Sequence, residues 1–317
     1  MYLEYYELKD EPFRLTPDPR FLHLSGPHQS ALTVLLEGIL YRKGLVMITG
    51  AIGTGKTTLV HTALQILTDQ SQQNMPIRSA LLFNPTLTRD EFLEMMLEEF
   101  EIECTATSKP RRLNALNQML LSTQRQGGTA VLFIDEAHLL SPEVLEEIRL
   151  LGNADTHQEK LLQIVLSGQP ELVTMMNRRE LSALQQRIAA RANLRPLSLP
   201  EVRSYITERL YFAGLKGPSP FSDLAVERIL VHSSGVPRLI NLICDACLSL
   251  GFRAKRKIIQ PDTVEEAAAA MGLITETAAI EPEKKPISFP TSNSDVPRSM
   301  VDLLIDAMKN NRAAAME

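Results

Sequence analysis

Two short runs in this chain have the residue types and spacing for phosphate chemistry. The first is Gly50, Ala51, Ile52, Gly53, Thr54, Gly55, Lys56 and Thr57; the second is Val131, Leu132, Phe133, Ile134, Asp135 and Glu136. Glycines at 50, 53 and 55 let the backbone curl so that successive N–H groups point inward at phosphate oxygens, a shape that side chains obstruct. A helix starting at such a loop turns its positive end toward the anion. Lys56 then supplies a point charge for β- and γ-phosphates, and the Thr57 hydroxyl is placed to ligate Mg²⁺. Thr58 extends the binding segment into the helix. In the second run, four apolar residues carry Asp135 to a strand end, where it can hold Mg²⁺ and Glu136 can activate an attacking water. A nucleoside triphosphate, ATP with Mg²⁺, is the expected ligand, and hydrolysis the expected reaction. No residue reads the base, so GTP stays open.

These motifs need a strand before the glycine loop and a helix after it. Leu45–Thr49 and Thr57–Leu67 meet that need. Further strands are expected at Ala80–Phe83, Ala130–Ile134, Leu162–Leu166 and Leu194–Leu197. Helices are expected at Arg89–Phe100, Leu113–Gln126, Pro142–Leu151 and near Leu181–Ala190. Thr88 with Glu91 forms a capping box, and Ser141 followed by Pro142 starts another helix. This alternation implies an α/β fold, a parallel sheet covered by helices. From Pro200 the strand signal stops, and Glu201–Ala213, Ser222–His232, Pro237–Leu250 and Pro261–Met271 read as helices between Gly, Pro and Ser breaks. The expected domains are 1–199, nucleotide-binding; 200–272, a small helical lid; and 273–317, a flexible Pro-rich tail. The tail ends with Met300, Leu303, Leu304 and Met308 at helical spacing, either a docking helix for a partner or a last helix folding back.

The bulk composition sets outer limits. The 317 residues carry a net charge of −5, which gives no global argument for nucleic acid or anionic lipid as a partner. Two local basic clusters, Lys109–Arg112 and Arg253–Lys257, read first as solvated helix ends. Three cysteines are too few for a disulfide framework. Cys244 and Cys247 stand at Cys-x-x-Cys spacing, but in an apolar helix with no second ligand pair nearby, so core packing is expected. Met1–Phe13 lacks a signal-peptide pattern, and no uncharged apolar run reaches the ~18–20 residues of a membrane span. A cytoplasmic protein is expected, at most peripheral to the inner membrane through partners.

An α/β nucleotide domain followed by a helical lid resembles an AAA+ ATPase of the P-loop NTPase class. A closer resemblance, to the ExeA-type ATPases of the general secretion pathway protein A family, covers residues 1–272. It rests on Tyr5-Tyr6-Glu7-Leu8, on Glu11-Pro12-Phe13-Arg14-Leu15-Thr16-Pro17-Asp18-Pro19-Arg20-Phe21-Leu22, and on Ile134 to His138. Ile164 to Leu172, Gln186-Arg187-Ile188 with Arg191, and Gly235 to Asn241 add to it. The resemblance implies that Gln169 senses the γ-phosphate or attacking water. It also implies that Arg191, or else Arg187, is an arginine finger acting on a neighbouring subunit, and that Arg238 is the lid's sensor. The segment Phe13–Leu24 is expected beside the adenine. A nucleotide-dependent homo-oligomer is implied, working with protein partners of an envelope secretion, pilus or exopolysaccharide system. ExeA-type proteins continue through a membrane span into a peptidoglycan-binding domain; neither is expected in these residues.

Two rivals remain. Asp135-Glu136-Ala137-His138 also spells a helicase box, but such helicases need a second α/β domain, and residues 200–317 read as too short and too helical. A DNA-associated AAA+ regulator of transposition or replication is the stronger alternative, and it would need one of the two basic clusters to face DNA.

Overall fold

Five apolar runs become five parallel strands: β1 (Leu45–Gly50), β2 (Ile77–Leu82), β3 (Thr129–Ile134), β4 (Leu162–Gly168) and β5 (Ile188–Leu194). Their order across the sheet is β2-β3-β4-β1-β5. Strands β1, β3 and β4 are buried along their whole length, as strands covered on both faces must be. The edge strands β2 and β5 instead alternate between more and less exposed residues.

This computed structural model describes residues 2–15, 25–73, 76–83, 86–105, 108–155 and 159–273, with Val301 and Ile305. They divide into two compact units, one of residues 17–195 and one combining residues 1–16 with those from 196 onward.

In the first unit, helices α2 (Gly26–Leu40), α3 (Lys56–Gln73), α4 (Arg89–Glu99), α5 (Lys109–Arg125), α6 (Pro142–Leu151), α7 (Glu171–Met176) and α8 (Ser182–Gln185) cover the sheet. The expected caps form. Thr88 and Glu91 make a reciprocal capping box on α4, and the Ser141 hydroxyl accepts the Val144 N–H at the start of α6. One core cluster joins Leu45, Met47, Leu132 and Ile134 of the sheet to Phe92, Met96, Leu116 and Ile148 of the helices. Each such side chain, fully buried, contributes about 1.5–3 kcal/mol. Helix α2 has no counterpart among the sequence expectations; Pro27 starts it, and it buries Leu32, Leu35, Leu36 and Ile39.

Two sequence expectations shift here. The helix expected near Leu181–Ala190 is confined to the single turn of α8, Ser182–Gln185, and the last strand lies earlier than Leu194–Leu197. A 3-10 turn (Arg179–Leu181) and the single turn of α8 precede β5, which pairs with β1 from Ile188 to Leu194. Ala189, Ala190 and Ala192 favour helix locally, but pairing along the whole of β1 overrides that preference.

The second unit holds the short α1 (Tyr2–Tyr5) and α9 (Leu199–Phe212), α10 (Asp223–Ser233), α11 (Pro237–Arg253) and α12 (Pro261–Ala270). The sequence reading grouped residues 1–199 with the sheet; the first residues instead pack among these helices. The Tyr2 hydroxyl donates to Asp245 at 2.6 Å, the Tyr6 hydroxyl to the Arg256 carbonyl at 2.8 Å, and Phe13 sits edge-on to Phe221. The buried Arg209 donates to the carbonyls of Pro12 and Arg14 and to the Tyr205 hydroxyl. Aromatic rings with polar tips fill a helical face and satisfy its polar groups at once, which alternation-based reading does not register. Phe13 is therefore a core residue of the helical unit, and residues 16–24 of the segment expected beside the adenine lie outside the described residues. So does the expected tail, apart from Leu273 and from Val301 and Ile305, which are helical and buried.

Candidate active site

The loop between β1 and α3 takes its shape from its glycines. Gly53 and Gly55 have φ of 78° and 96°, a region that side chains disfavour. Gly50 serves another purpose, because a Cβ there would stand 2.8 Å from the Leu194 carbonyl oxygen and from Thr54 Oγ1. Thr54 is fully buried, and its hydroxyl donates to the Ala51 carbonyl at 2.8 Å. Ile52 projects outward, 64% exposed. Lys56, Thr57 and Thr58 form the first turn of α3, where backbone N–H groups have no acceptor within the helix. These are the donors that an anion would take up.

Lys56 is buried, and its Nζ donates to the carbonyls of Gly50 at 2.9 Å and Ala51 at 3.1 Å. Burial lowers its pKa, while the carboxylates of Glu136, Asp135 and Glu171 act in the opposite direction. The Thr57 hydroxyl donates to Asp135 Oδ2 at 2.7 Å, joining the two motifs across 78 residues of sequence. The other oxygen of Asp135 accepts from Ser167 Oγ at 2.8 Å and from the Glu136 N–H at 3.0 Å. Asp135 is 2% exposed, and its bond to Ser167 is fully buried.

Glu136 adopts left-handed backbone angles, φ 52° and ψ 35°, at the start of a 3-10 turn (Ala137–Leu139). A residue with a side chain held there stores about 1–3 kcal/mol of strain, a feature that concentrates at functional sites. Its side chain is 37% exposed overall, yet Oε2 is buried and makes no hydrogen bond among the described residues. His138 Nδ1 lies 3.3 Å from that oxygen. The same nitrogen accepts the backbone N–H of Gln169 at 3.5 Å. Since β3, β4 and β1 are neighbours, Glu136, Gln169 and the glycine loop share one edge of the sheet.

Arg191 is exposed in the middle of β5, opposite Met47. The Nη1 of Arg187 donates to the Arg149 carbonyl near the end of α6 at 2.7 Å. Arg238 belongs to the helical unit, exposed in the first turn of α11. Sequence reasoning missed three supporting residues. Ser167 precedes the Gly168-Gln169 pair and orients Asp135, and His138 follows the acidic pair. His28 of α2 is buried, its Nε2 2.8 Å from the Thr54 carbonyl oxygen and its Nδ1 2.6 Å from Ser25 Oγ.

Cys244 and Cys247 are buried in α11, and burial pushes the Cys247 thiol up to about 12 and that of Cys244 well above its ordinary value. Both pack as neutral core residues, as expected. No helix among the described residues is long and apolar enough to cross a membrane.

The donor set suits a nucleoside triphosphate with a hard cation: a hydroxyl and a carboxylate already in contact, a buried ammonium, and a glycine loop at a helix N-terminus. Fold and site together define a P-loop protein of the AAA+ class. A family profile described as an AAA domain matches residues 39–176. General secretion pathway protein A of Aeromonas hydrophila is 38% identical over 278 residues, 87% of this chain and 50% of that one. The chain belongs to the ExeA-type AAA+ ATPases, the general secretion pathway protein A family, and spans half the length of that relative. Among solved structures, Drosophila ORC bound to DNA superposes with a TM-score of 0.66 at 19% identity, over 86% of this chain and 66% of that one. The Aeropyrum pernix ORC2 protein gives 0.61 at 15% identity, over 83% and 72%. At those identities the likeness is one of fold.

Proposed function

We propose that this chain binds ATP with Mg²⁺ and hydrolyses it to ADP and phosphate. The contact between Thr57 and Asp135 carries the reading, because it brings the two halves of a phosphate site into hydrogen-bond contact. Thr57 and Asp135 would hold the metal, which when bound neutralises charge on the β- and γ-phosphate oxygens. Lys56 exchanges its carbonyl partners for phosphate oxygens, and the N–H groups of Gly53 to Thr58 cradle the rest. Glu136 deprotonates or orients the attacking water, and Gln169 positions the γ-phosphate. Phosphate release by the purified protein, compared with Glu136→Gln, tests this; equal release by the two would overturn it.

The wider role follows from the family. A nucleotide-dependent homo-oligomer in which Arg191, with Arg187 as the other candidate, completes a neighbour's site would couple turnover to assembly. Arg238 would then link phosphate occupancy to movement of the helical unit. Such an assembly would drive or gate an envelope secretion, pilus or polysaccharide system, from the cytoplasm and through protein partners at the inner membrane.

The DNA-associated alternative draws less support. Three of the seven basic residues in its two clusters pair with carboxylates of the chain, Lys109 with Glu147, Arg112 with Glu94 and Arg256 with Asp262, and Lys257 donates to the Tyr5 carbonyl, while the net charge of −5 gives no global pull on DNA. Salt-dependent DNA binding would restore it.

A further inference from the structure

We propose that His138 is a positioning residue that links the sensor strand to the base, through competition for a single nitrogen. The inference rests on the reading of Glu136 as the base and Gln169 as the sensor.

The geometry sets up the competition. Nδ1 of His138 accepts the Gln169 N–H and also faces the buried Oε2 of Glu136 at 3.3 Å. A ring nitrogen either carries a lone pair or a proton. With the proton on Nε2, Nδ1 serves Gln169 and leaves Oε2 without a donor, as the structure has it. With the proton on Nδ1, the ring donates to Glu136 and the Gln169 N–H loses its acceptor. One atom thus has two exclusive partners, one on each side of the reaction.

Both partners are held so that the choice matters. The left-handed backbone at Glu136 aims its carboxylate back toward the turn that carries His138. On the other side, Gly168 admits that turn against the end of β4: a Cβ there would stand 3.2 Å from the His138 backbone nitrogen. A small displacement of Gln169 on engaging a γ-phosphate would lengthen a contact already at 3.5 Å. Release of that contact frees Nδ1 to take the proton and to hold Oε2 of Glu136, which leaves the outer oxygen turned to the water. A buried acceptor without a donor is costly, so the second state repays the loss of the first. The ring thereby couples phosphate detection to alignment of the base, through two discrete arrangements of one side chain.

Two measurements test this. The first is turnover and ATP affinity in His138→Ala, His138→Asn and His138→Gln. Asparagine places a polar atom where Nδ1 stands, whereas glutamine places one nearer Nε2. The expected result is turnover lowered about tenfold or more in His138→Ala with ATP affinity unchanged. Rate returns substantially in His138→Asn and not in His138→Gln. A ring that only fills space would instead give the larger glutamine the better rescue. Wild-type turnover in His138→Ala, or equal behaviour of the two amides, overturns the proposal. The second measurement needs no turnover. In the full chain, the ¹⁵N shift of His138 Nδ1 is expected to move from an acceptor to a protonated value when Mg²⁺ with a non-hydrolysable ATP analogue is added. An unmoved shift with the analogue bound rejects the link while leaving the hydrolysis reading intact. A moved shift without any turnover in the wild type rejects hydrolysis and leaves the coupling standing.

Discussion

The ring of His28 lies under the phosphate loop, with Nε2 2.8 Å from the carbonyl oxygen of Thr54. A carbonyl can only accept, so Nε2 carries the proton and donates to the loop, and Ser25 Oγ, 2.6 Å from the other ring nitrogen, donates to Nδ1. A Cβ at Gly55 would stand 3.1 Å from Nε2, so the ring also fills the space that this glycine leaves. Removing it leaves the buried Thr54 carbonyl without this donor, at a cost of about 1–3 kcal/mol. His28→Ala is therefore expected to weaken ATP binding about tenfold in a titration with a fluorescent ATP analogue. Unchanged affinity would mean that the loop holds its shape without the ring.

Glu136→Gln is expected to keep ATP affinity and to lower hydrolysis by a factor of at least 10². The amide preserves the hydrogen-bonding size of the side chain and removes its capacity to take a proton. Equilibrium binding run beside phosphate release separates the two effects. Loss of binding in this variant would assign Glu136 to nucleotide contact and not to water.

Lys56 offers a prediction with a pH sign. Its pKa is lowered in the folded chain, chiefly by burial. Between that lowered value and the unfolded value of 10.5, the unfolded chain binds the proton and the folded chain does not, so stability rises with pH there. Below the window both states hold the proton and the burial penalty is present in full. Lys56→Met, which lacks the charge, should abolish ATP binding and lack this rise. Denaturant midpoints of the two proteins, measured from pH 7 upward, are expected to shift in favour of the wild type as pH rises through the window. Parallel curves would contradict it.

What the sequence disclosed, and what it did not, follows from where each constraint acts. The glycine loop and the acidic pair were legible because phosphate chemistry fixes residue types over a few adjacent positions. The central strands were legible because burial on both faces leaves an apolar run. His28, Ser167 and His138 act across the fold on Thr54, Asp135 and Gln169, and their spacing along the chain carries no trace of that. Strand β5 was hidden by its alanines, whose local preference is helical and whose pairing with β1 is tertiary. The placement of Tyr2, Tyr6 and Phe13 among the helices depends on contacts more than 200 residues away in sequence.

The packing of Phe13 bears directly on stability. Its ring is 2% exposed, edge-on to Phe221 at 6.1 Å between centroids. Phe13→Ala is expected to destabilise the helical unit by about 3–5 kcal/mol. Thermal unfolding should show this as a lowered midpoint for that unit, with ATP affinity kept at temperatures where the variant is folded. A loss of ATP affinity in the folded variant would return Phe13 to the nucleotide, where the sequence reading put it.

The two candidate arginine fingers separate by what else they do. Arg187 donates from Nη1 to the Arg149 carbonyl at 2.7 Å, so its removal should cost about 1 kcal/mol of stability whatever its part in turnover. Arg191 is exposed on the edge strand, so Arg191→Ala should leave the unfolding midpoint within ±0.5 kcal/mol of wild type. If Arg191 acts on a neighbour, the same variant loses turnover by 10³-fold or more while binding ATP normally. A finger acts in trans, so Arg191→Ala mixed with Glu136→Gln should recover activity. In such mixed assemblies some sites pair an intact Glu136 with an intact Arg191 from the next subunit. Recovery in that mixture and none in either protein alone would establish a shared site. Full turnover by Arg191→Ala would move the role to Arg187, and the same mixing experiment with Arg187→Ala would then decide it.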